Sequence, residues 1–421
     1  MNKYKLGDIS EIQSGPFGTQ LHKDEYVPEG IPMLNSKNIG NGIVVEDSLD
    51  FVPEAVCERL PRYVLKKGDI LFGRAGTIER HTYVDSKYDG CFQGTNCIRI
   101  RCKDKQKSRY ISYYLWLNKL KVKIENAAGG SIQSYITTDL LKDIEVEIPD
   151  DYEKRANFLF LIDEKIHNNN QINDNLEQQA KLLYDYWFTQ FDFPDENGKP
   201  YRSSGGKMVW NEQLKMEIPF SWICSKMENA IEAVRTGLNP RNNFQLGNGN
   251  IQYITVKNLC LNGSLDFSGC DTIDEQARQI VHRRSDIQRD DILFASIAPL
   301  GRCYLIQENP TNWDINESVF SIRYNSSVLT AEYLYMNLQS EAFVKRATAC
   351  STGSIFKGIR INSLMDSEII LPPQSVTKEF SKEIKSLFAL QKELDRETHT
   401  LIQLRDWLLP MLMNGQATIS D

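Results

Sequence analysis

Lys67-Gly68-Asp69-Ile70-Leu71-Phe72 returns as Arg289-Asp290-Asp291-Ile292-Leu293-Phe294, at an offset of 289 − 67 = 222 residues. Gly130-Ser131-Ile132 returns as Gly353-Ser354-Ile355, at 353 − 130 = 223. The stretch Ile31 to Asn38 returns as Ile251 to Asn258, at 251 − 31 = 220. A near-constant offset over three blocks marks an internal repeat of half the chain, far longer than a solenoid or propeller period. Two similar domains in one chain behave as a covalently linked homodimer and favour a pseudo-two-fold arrangement.

The 421 residues are 41% hydrophobic and 25% charged, an ordinary globular composition. No apolar run approaches the length of a membrane span, and Met1-Asn2-Lys3-Tyr4 leads straight into a strand-like segment without a signal-type stretch. Nine cysteines are scattered without a C-x-x-C pair, which suits a reducing cytoplasm and argues against a metal cluster. The net charge of −7 opposes nucleic acid at first sight. By region, residues 1–150 carry 21 basic and 21 acidic side chains, 151–191 carry 4 and 7, and 215–372 carry 15 and 17. The repeated domains are close to neutral, so composition neither demands DNA nor excludes it.

Residues 1–150 read as mixed strand and helix. Strands are expected at Gly42 to Val45, Asn96 to Ile100 and Ile144 to Ile148, and a helix at Ser108 to Lys123. From Tyr152 to Phe191 there is neither Pro nor Gly. Leu159, Ile162, Ile166, Asn169, Asn173, Leu176, Ala180, Leu183 and Trp187 fall at alternating intervals of three and four, which predicts a long helix over 151–191 with a heptad seam. Residues 192–214 are rich in turn formers and read as a linker. The second domain, 215–373, repeats the order of features, with a helix expected at Thr330 to Arg346. A second long helix, 374–415, carries Phe380, Ile384, Leu387, Gln391, Leu394, Thr398, Leu401, Arg405 and Leu408 on its seam, and 416–421 is a tail. The expected fold class is α+β: two similar mixed α/β domains separated by two long helices packed as an antiparallel coiled coil with pseudo-two-fold symmetry. The competing arrangement folds each helix back on its own domain.

A fused enzyme dimer would show its catalytic set twice. No dinucleotide glycine pattern and no phosphate loop is present. The histidines at 22, 81, 167, 282 and 399 do not repeat. Asp69 and Asp291 do repeat, but a carboxylate just before an apolar strand reads as a turn cap. The copies agree in strand starts and turns, and differ in polar loops such as Gly73 to Arg80 against Ala295 to Arg302.

Further stretches carry a family resemblance: Leu183 to Pro194, Ser203 to Trp210, Leu404 to Gln416, the Gly-Asp-Ile-Leu-Phe block and the paired Gly-Ser-Ile blocks. In this order they resemble the specificity subunit of type I restriction–modification enzymes over essentially the whole chain. Asp290 in place of Gly68, and Thr352 in place of Gly129, are the departures. The resemblance implies a non-catalytic, cytoplasmic reader of double-stranded DNA. Each domain would be a target recognition domain for one half of a split, asymmetric site, with the helices setting the spacer. Two methylation subunits binding S-adenosylmethionine would dock on the helix seam region (Ile162, Ile166, Asn169, Asn173, Leu176, Trp187, Ile384, Leu387, Leu394, Leu401 and Leu408). Motor–nuclease subunits using ATP and Mg would complete the restriction form, and the chain itself would hold no cofactor and no metal. Loop placement and polar type make Lys37, Asn38, Arg74, Thr77, Arg80, Gln93, Asn96, Gln133 and Ser134 the candidate DNA contacts of the first domain. Lys257, Asn258, Arg302, Asn316, Ser354, Lys357 and Arg360 are those of the second. The alternative function is a fused-dimer protein-interaction scaffold without DNA readout.

Overall fold

Alternating apolar residues and turn formers build one sheet system twice. The computed structural model describes the whole chain except residues 1, 41, 47, 75–79, 118–119, 123–135, 350–357 and 420–421. It divides into two compact units, one of Met1–Asn168 with Glu397–Asp421 and one of Asn169–Arg396. Each long helix is therefore shared between units and is not a domain apart, which changes the boundaries expected from sequence.

In the first unit Ser10–Ser14, Cys97–Cys102, Ile70–Gly73 and His81–Tyr83 form a four-stranded antiparallel sheet in that order. Asp50–Val52, Ile31–Leu34 and Phe92–Gln93 form a three-stranded sheet whose last pair is parallel. Asn2–Lys5 pairs with Glu145–Ile148. The second unit repeats all of this. Ile231–Thr236, Val319–Tyr324, Ile292–Ala295 and Cys303–Leu305 make the larger sheet. Asp271–Ile273, Ile251–Ile254 and Trp313–Ile315 make the smaller one, again with a parallel last pair. Ile223–Lys226 pairs with Glu368–Leu371. The repeat read from three short blocks thus extends to strand order and strand direction.

The turn before strands Ile70–Gly73 and Ile292–Ala295 shows why a sequence difference leaves the frame intact. Gly68 has φ +97° and Asp290, at the same place in the repeat, has φ +68°. Asp is among the few side chains that tolerate the left-handed region, so both turns close alike.

Several local expectations change. Gly42 to Val45 contains isolated bridges and no strand. The helix expected from Ser108 runs over Lys105–Leu115, and that expected over 330–346 is split into Ala331–Gln339 and Glu341–Ala349 by Ser340, whose ψ of 144° is extended. The stretch read as a linker is packed and partly ordered. Phe191 and Phe193 are buried against Trp222, at ring-centroid distances of 5.4 and 5.0 Å. Met208–Asn211 and Met216–Pro219 form a hairpin. Turn-forming composition marked the breaks correctly but hid the burial of Phe193, which joins Phe191 from the helix end and Trp222 from the second domain.

The first long helix spans Tyr152–Tyr184 and continues as a π-turn through Asp185–Thr189; the last spans Gln374–Met413 and holds Pro410 within it. In the first unit Arg155 donates to the Leu412 carbonyl, Arg405 lies 3.1 Å from Asp163, and Lys165 lies 3.1 Å from Glu397. In the second unit Asn173 Nδ2 donates to Asp395 at 2.7 Å, and Tyr184 packs its ring on Phe380 at 6.3 Å. Within each unit, rising numbers on one helix meet falling numbers on the other, so the segments run antiparallel. Ile162, Ile166, Asn169, Leu176, Trp187, Ile384 and Leu394 are buried, and Asn173, Leu387, Leu401 and Leu408 are half-buried. Past Ala180 the seam steps by four, so that Tyr184 is buried and Leu183 only half so.

His81 is sandwiched in the first unit's core. Its ring stacks on Phe72 at 4.7 Å and on Trp116 at 4.1 Å, and Nε2–H donates to the Ser112 carbonyl at 2.9 Å. Burial drives its pKa down from 6.5 to about 3. The unfolded chain therefore takes up this proton first. The stability tied to neutral His81 is full above pH 6.5 and drains away as the pH falls toward 3, at roughly 1.4 kcal/mol per pH unit. Urea titrations between pH 7 and 5 are expected to show this slope, and His81→Phe is expected to flatten it. An unaltered slope in the variant would contradict the assignment.

Candidate nucleic-acid interface

At one end of each larger sheet, three loops are tied together by backbone hydrogen bonds. In the first unit Arg74 N–H donates to the Asn96 carbonyl (2.9 Å) and Ile136 N–H donates to the Arg74 carbonyl (3.1 Å). In the second, Ser296 N–H donates to the Ser318 carbonyl (3.0 Å) and Ile359 N–H to the Ser296 carbonyl (2.8 Å). The offsets are 296 − 74 = 222, 318 − 96 = 222 and 359 − 136 = 223, so the junction is part of the repeat. It gathers the candidates Arg74, Arg80 and Asn96 in one unit. In the other it gathers Arg302, whose carbonyl accepts from Ala295 N–H, Asn316, which accepts from Val319 N–H, and Arg360. Asn96, Arg80 and Arg360 are exposed; Arg74, Arg302 and Asn316 are half-buried. The Asn316 side chain accepts from Ser318 N–H at 3.0 Å and shapes its own turn. Thr77, Gln133, Ser134, Ser354 and Lys357 lie outside the described residues.

The frame beneath these loops rests on a repeated ion pair. Asp69 accepts from Arg101 Nε and Nη2 at 2.7 and 2.6 Å, and from Lys66 N–H at 2.8 Å. Asp291 accepts from Arg323 Nε and Nη2, both at 2.9 Å, and from Gln288 N–H at 3.1 Å. Both carboxylates are buried, and the hydrogen bonds to them raise the pKa of each arginine. The two repeated aspartates are turn caps and strand braces.

Other sequence candidates lie inside. Asn38 and Asn258 are buried and serve as capping residues of short 3₁₀ turns. Asn38 accepts from Asn35 N–H and donates to the Val45 carbonyl; Asn258 accepts from Thr255 N–H and donates to the Asp266 carbonyl. Gln93 is fully buried, its amide donating to the carbonyls of Gln13 and Cys97. These three hold loop shape; Asn38 and Gln93 have no accessible surface with which to touch a ligand, and Asn258 has almost none. Lys37 is exposed and pairs with Asp50 at 3.0 Å, and Lys257 is exposed.

Sequence reasoning missed one feature. In the second unit an open groove of about 620 Å³ is lined by Arg235, Arg278, Gln279, His282, Arg283 and Asp286. Its signal was present as the basic face of Glu275–Ser285, where Arg278 and His282 stand four apart and Arg283 follows. Among the described residues no group of three or more His, Cys, Asp or Glu is placed to hold a metal ion. No described helix is long and apolar enough to cross a membrane.

Residues 1–178 match the family model described as the type I restriction modification DNA specificity domain. The chain is similar to the type I restriction enzyme MjaIX specificity subunit of Methanocaldococcus jannaschii, at 23% identity over 99% of this chain and 93% of that protein. It is also similar to the type I restriction enzyme HindI specificity subunit of Haemophilus influenzae, at 21% identity over 98% of this chain and 99% of that one. Among solved structures, the S subunit of a type I restriction–modification system from M. genitalium shares the fold, with a TM-score of 0.59 at 15% identity, covering 100% of this chain and 96% of that one.

Proposed function

We propose that this chain belongs to the specificity-subunit family of type I restriction–modification enzymes and gives such a complex its DNA sequence specificity. The observation that carries this is the three-loop junction, duplicated in backbone and unlike in side chains. Arg74 stands where the other unit has Ser296, and Asn96 stands where it has Ser318. Each unit reads one half of a split, asymmetric site, and the paired helices set the unread spacer. Base edges require such polar donors and acceptors, whereas a protein scaffold has no need of a duplicated frame with unlike loops.

The helices also bear apolar side chains facing solvent. Phe158, Leu161, Leu404 and Trp407 are exposed in the first unit, and Ile172, Leu182, Tyr186 and Leu390 in the second. Exposed aromatic and leucine side chains on a helix suit a protein partner. On this reading each unit docks one methylation subunit through this outward face, and the buried seam residues named above set the pairing of the helices. S-adenosylmethionine is held by the methylation subunits, and ATP and Mg by motor–nuclease subunits. The chain is non-catalytic, holds no cofactor and works in the cytoplasm. Deleting it is expected to abolish site-specific adenine methylation, read by mapping methylated adenines in the host genome. Methylation that persists unchanged would contradict the proposal.

A further inference from the structure

The two units differ in charge around the first strand of the larger sheet, which in the second unit packs against the helix that follows the edge strand Asp271–Ile273. In the first unit the corresponding helix is short, Glu54–Arg59, and Gln13 on the first strand pairs with Arg99. Arg99, on the paired strand, is almost fully buried there. Its guanidinium donates to Glu11, Gln13 and the Arg62 carbonyl at 2.7, 2.8 and 2.6 Å. The second unit has Arg235 at the position of Gln13 and Ser321 at the position of Arg99, since 235 − 13 and 321 − 99 are both 222. Ser321 is short and bonds Asp291 at 3.1 Å. The helix here is eleven residues long, Glu275–Ser285. Thus the first unit fills this place with a guanidinium engaged by its own chain, and the second leaves the open groove.

The groove is built. Asp274 caps its helix by accepting from Ala277 N–H at 2.8 Å. His282 and Ser285 anchor it on buried Asp314, at 3.0 and 2.6 Å. Arg278 donates to the Pro310 carbonyl at 3.1 Å and has Glu275 at 3.5 Å; its Nε is buried without a hydrogen-bond partner among the described residues. The one lining carboxylate, Asp286, is engaged by both Arg235 and Arg323. Arg283 is exposed and meets no carboxylate among the described residues. With Arg235 and Asp286 paired to each other, the exposed Arg283 and the incompletely bonded Arg278 leave an open setting with basic side chains to spare, which suits a polyanion's phosphate oxygens rather than a base edge.

Resting on the function proposed above, we infer that this groove of the second unit grips the phosphodiester backbone of duplex DNA. The affinity of the full chain for random-sequence duplex DNA, measured against salt, tests it. Each phosphate contact contributes about 0.9 to the slope of log affinity against log salt. Arg283→Gln is expected to make the slope shallower by about 1, and Arg278→Gln with Arg283→Gln by about 2. At about 0.1 M salt, affinity is expected to fall roughly 8-fold per contact, uniformly across sequences. Arg283→Lys is expected to keep the wild-type slope. Because Arg283 is exposed, its single variant carries the test if Arg278→Gln disturbs the helix. Unchanged slopes in variants of a chain that binds DNA would overturn the groove assignment and leave the proposed function standing. A change in base preference without a change in slope would also overturn it. A wild-type chain with no salt-dependent DNA binding would instead overturn the function on which the inference rests.

Discussion

A seven-residue insertion in each long helix is expected to lengthen the recognised site by about three base pairs and to abolish methylation at the original site. Seven helical residues add roughly 10 Å, and duplex DNA rises about 3.4 Å per base pair. The insertions belong after Asn170 and after Arg396. Lys165–Glu397 in the first unit and Asn173–Asp395 in the second bracket these points. Matched heptads preserve the three-four spacing that buries Ile166, Asn169 and Leu176 on one side and Ile384 and Leu394 on the other. A single, unmatched insertion shifts one helix against the other and breaks these pairings, so it is expected to cost folding. If the matched variant methylates sites with the original spacer, the helices do not set it.

Asp69→Ala is expected to destabilise the protein by about 3 kcal/mol, the low end of the range for breaking a buried ion pair. The carboxylate is 1% exposed and Arg101, its partner, 22%. Removing it strands the guanidinium between strands and uncaps the Lys66 N–H. The low end is expected because Arg101 retains some water and its bond to the Val64 carbonyl. Asp291→Ala is expected to act alike through Arg323, which is 16% exposed. Replacing both members, as in Asp69→Ala with Arg101→Met, is expected to cost less than Asp69→Ala alone, because no buried charge remains. Urea midpoints measure all three. A single-site cost within about 0.5 kcal/mol of wild type would show that the repeated aspartates are not braces.

The sequence was most readable where local chemistry decides structure. Repeated strand starts, the turn carboxylates and the three-four spacing from Leu159 to Ala180 each follow from short-range rules, and each is in place. It was least readable where polar type had to stand in for burial. Asn38 and Gln93 have side chains suited to base edges, yet both are used inside. For Asn38 a local signal existed: Asn35 and Asn38, like Thr255 and Asn258, are spaced as a capping box. Gln93 gave none, because its partners lie on other strands. The segment after the first long helix misled differently. Its prolines and glycines are real breaks, but Phe191, Phe193 and Trp222 meet only once the chain has folded. The basic groove escaped for a related reason: Arg235 and Arg283 are 48 residues apart (283 − 235), and only the sheet and its helix bring them together.

Mapping methylated adenines in the host genome, with and without this chain, decides whether two unlike readers act from one duplicated frame. The expected result is a single motif that depends on the chain, made of two different short half-sites separated by a fixed run of unread bases. A contiguous motif, two identical half-sites, or methylation indifferent to the chain would contradict it.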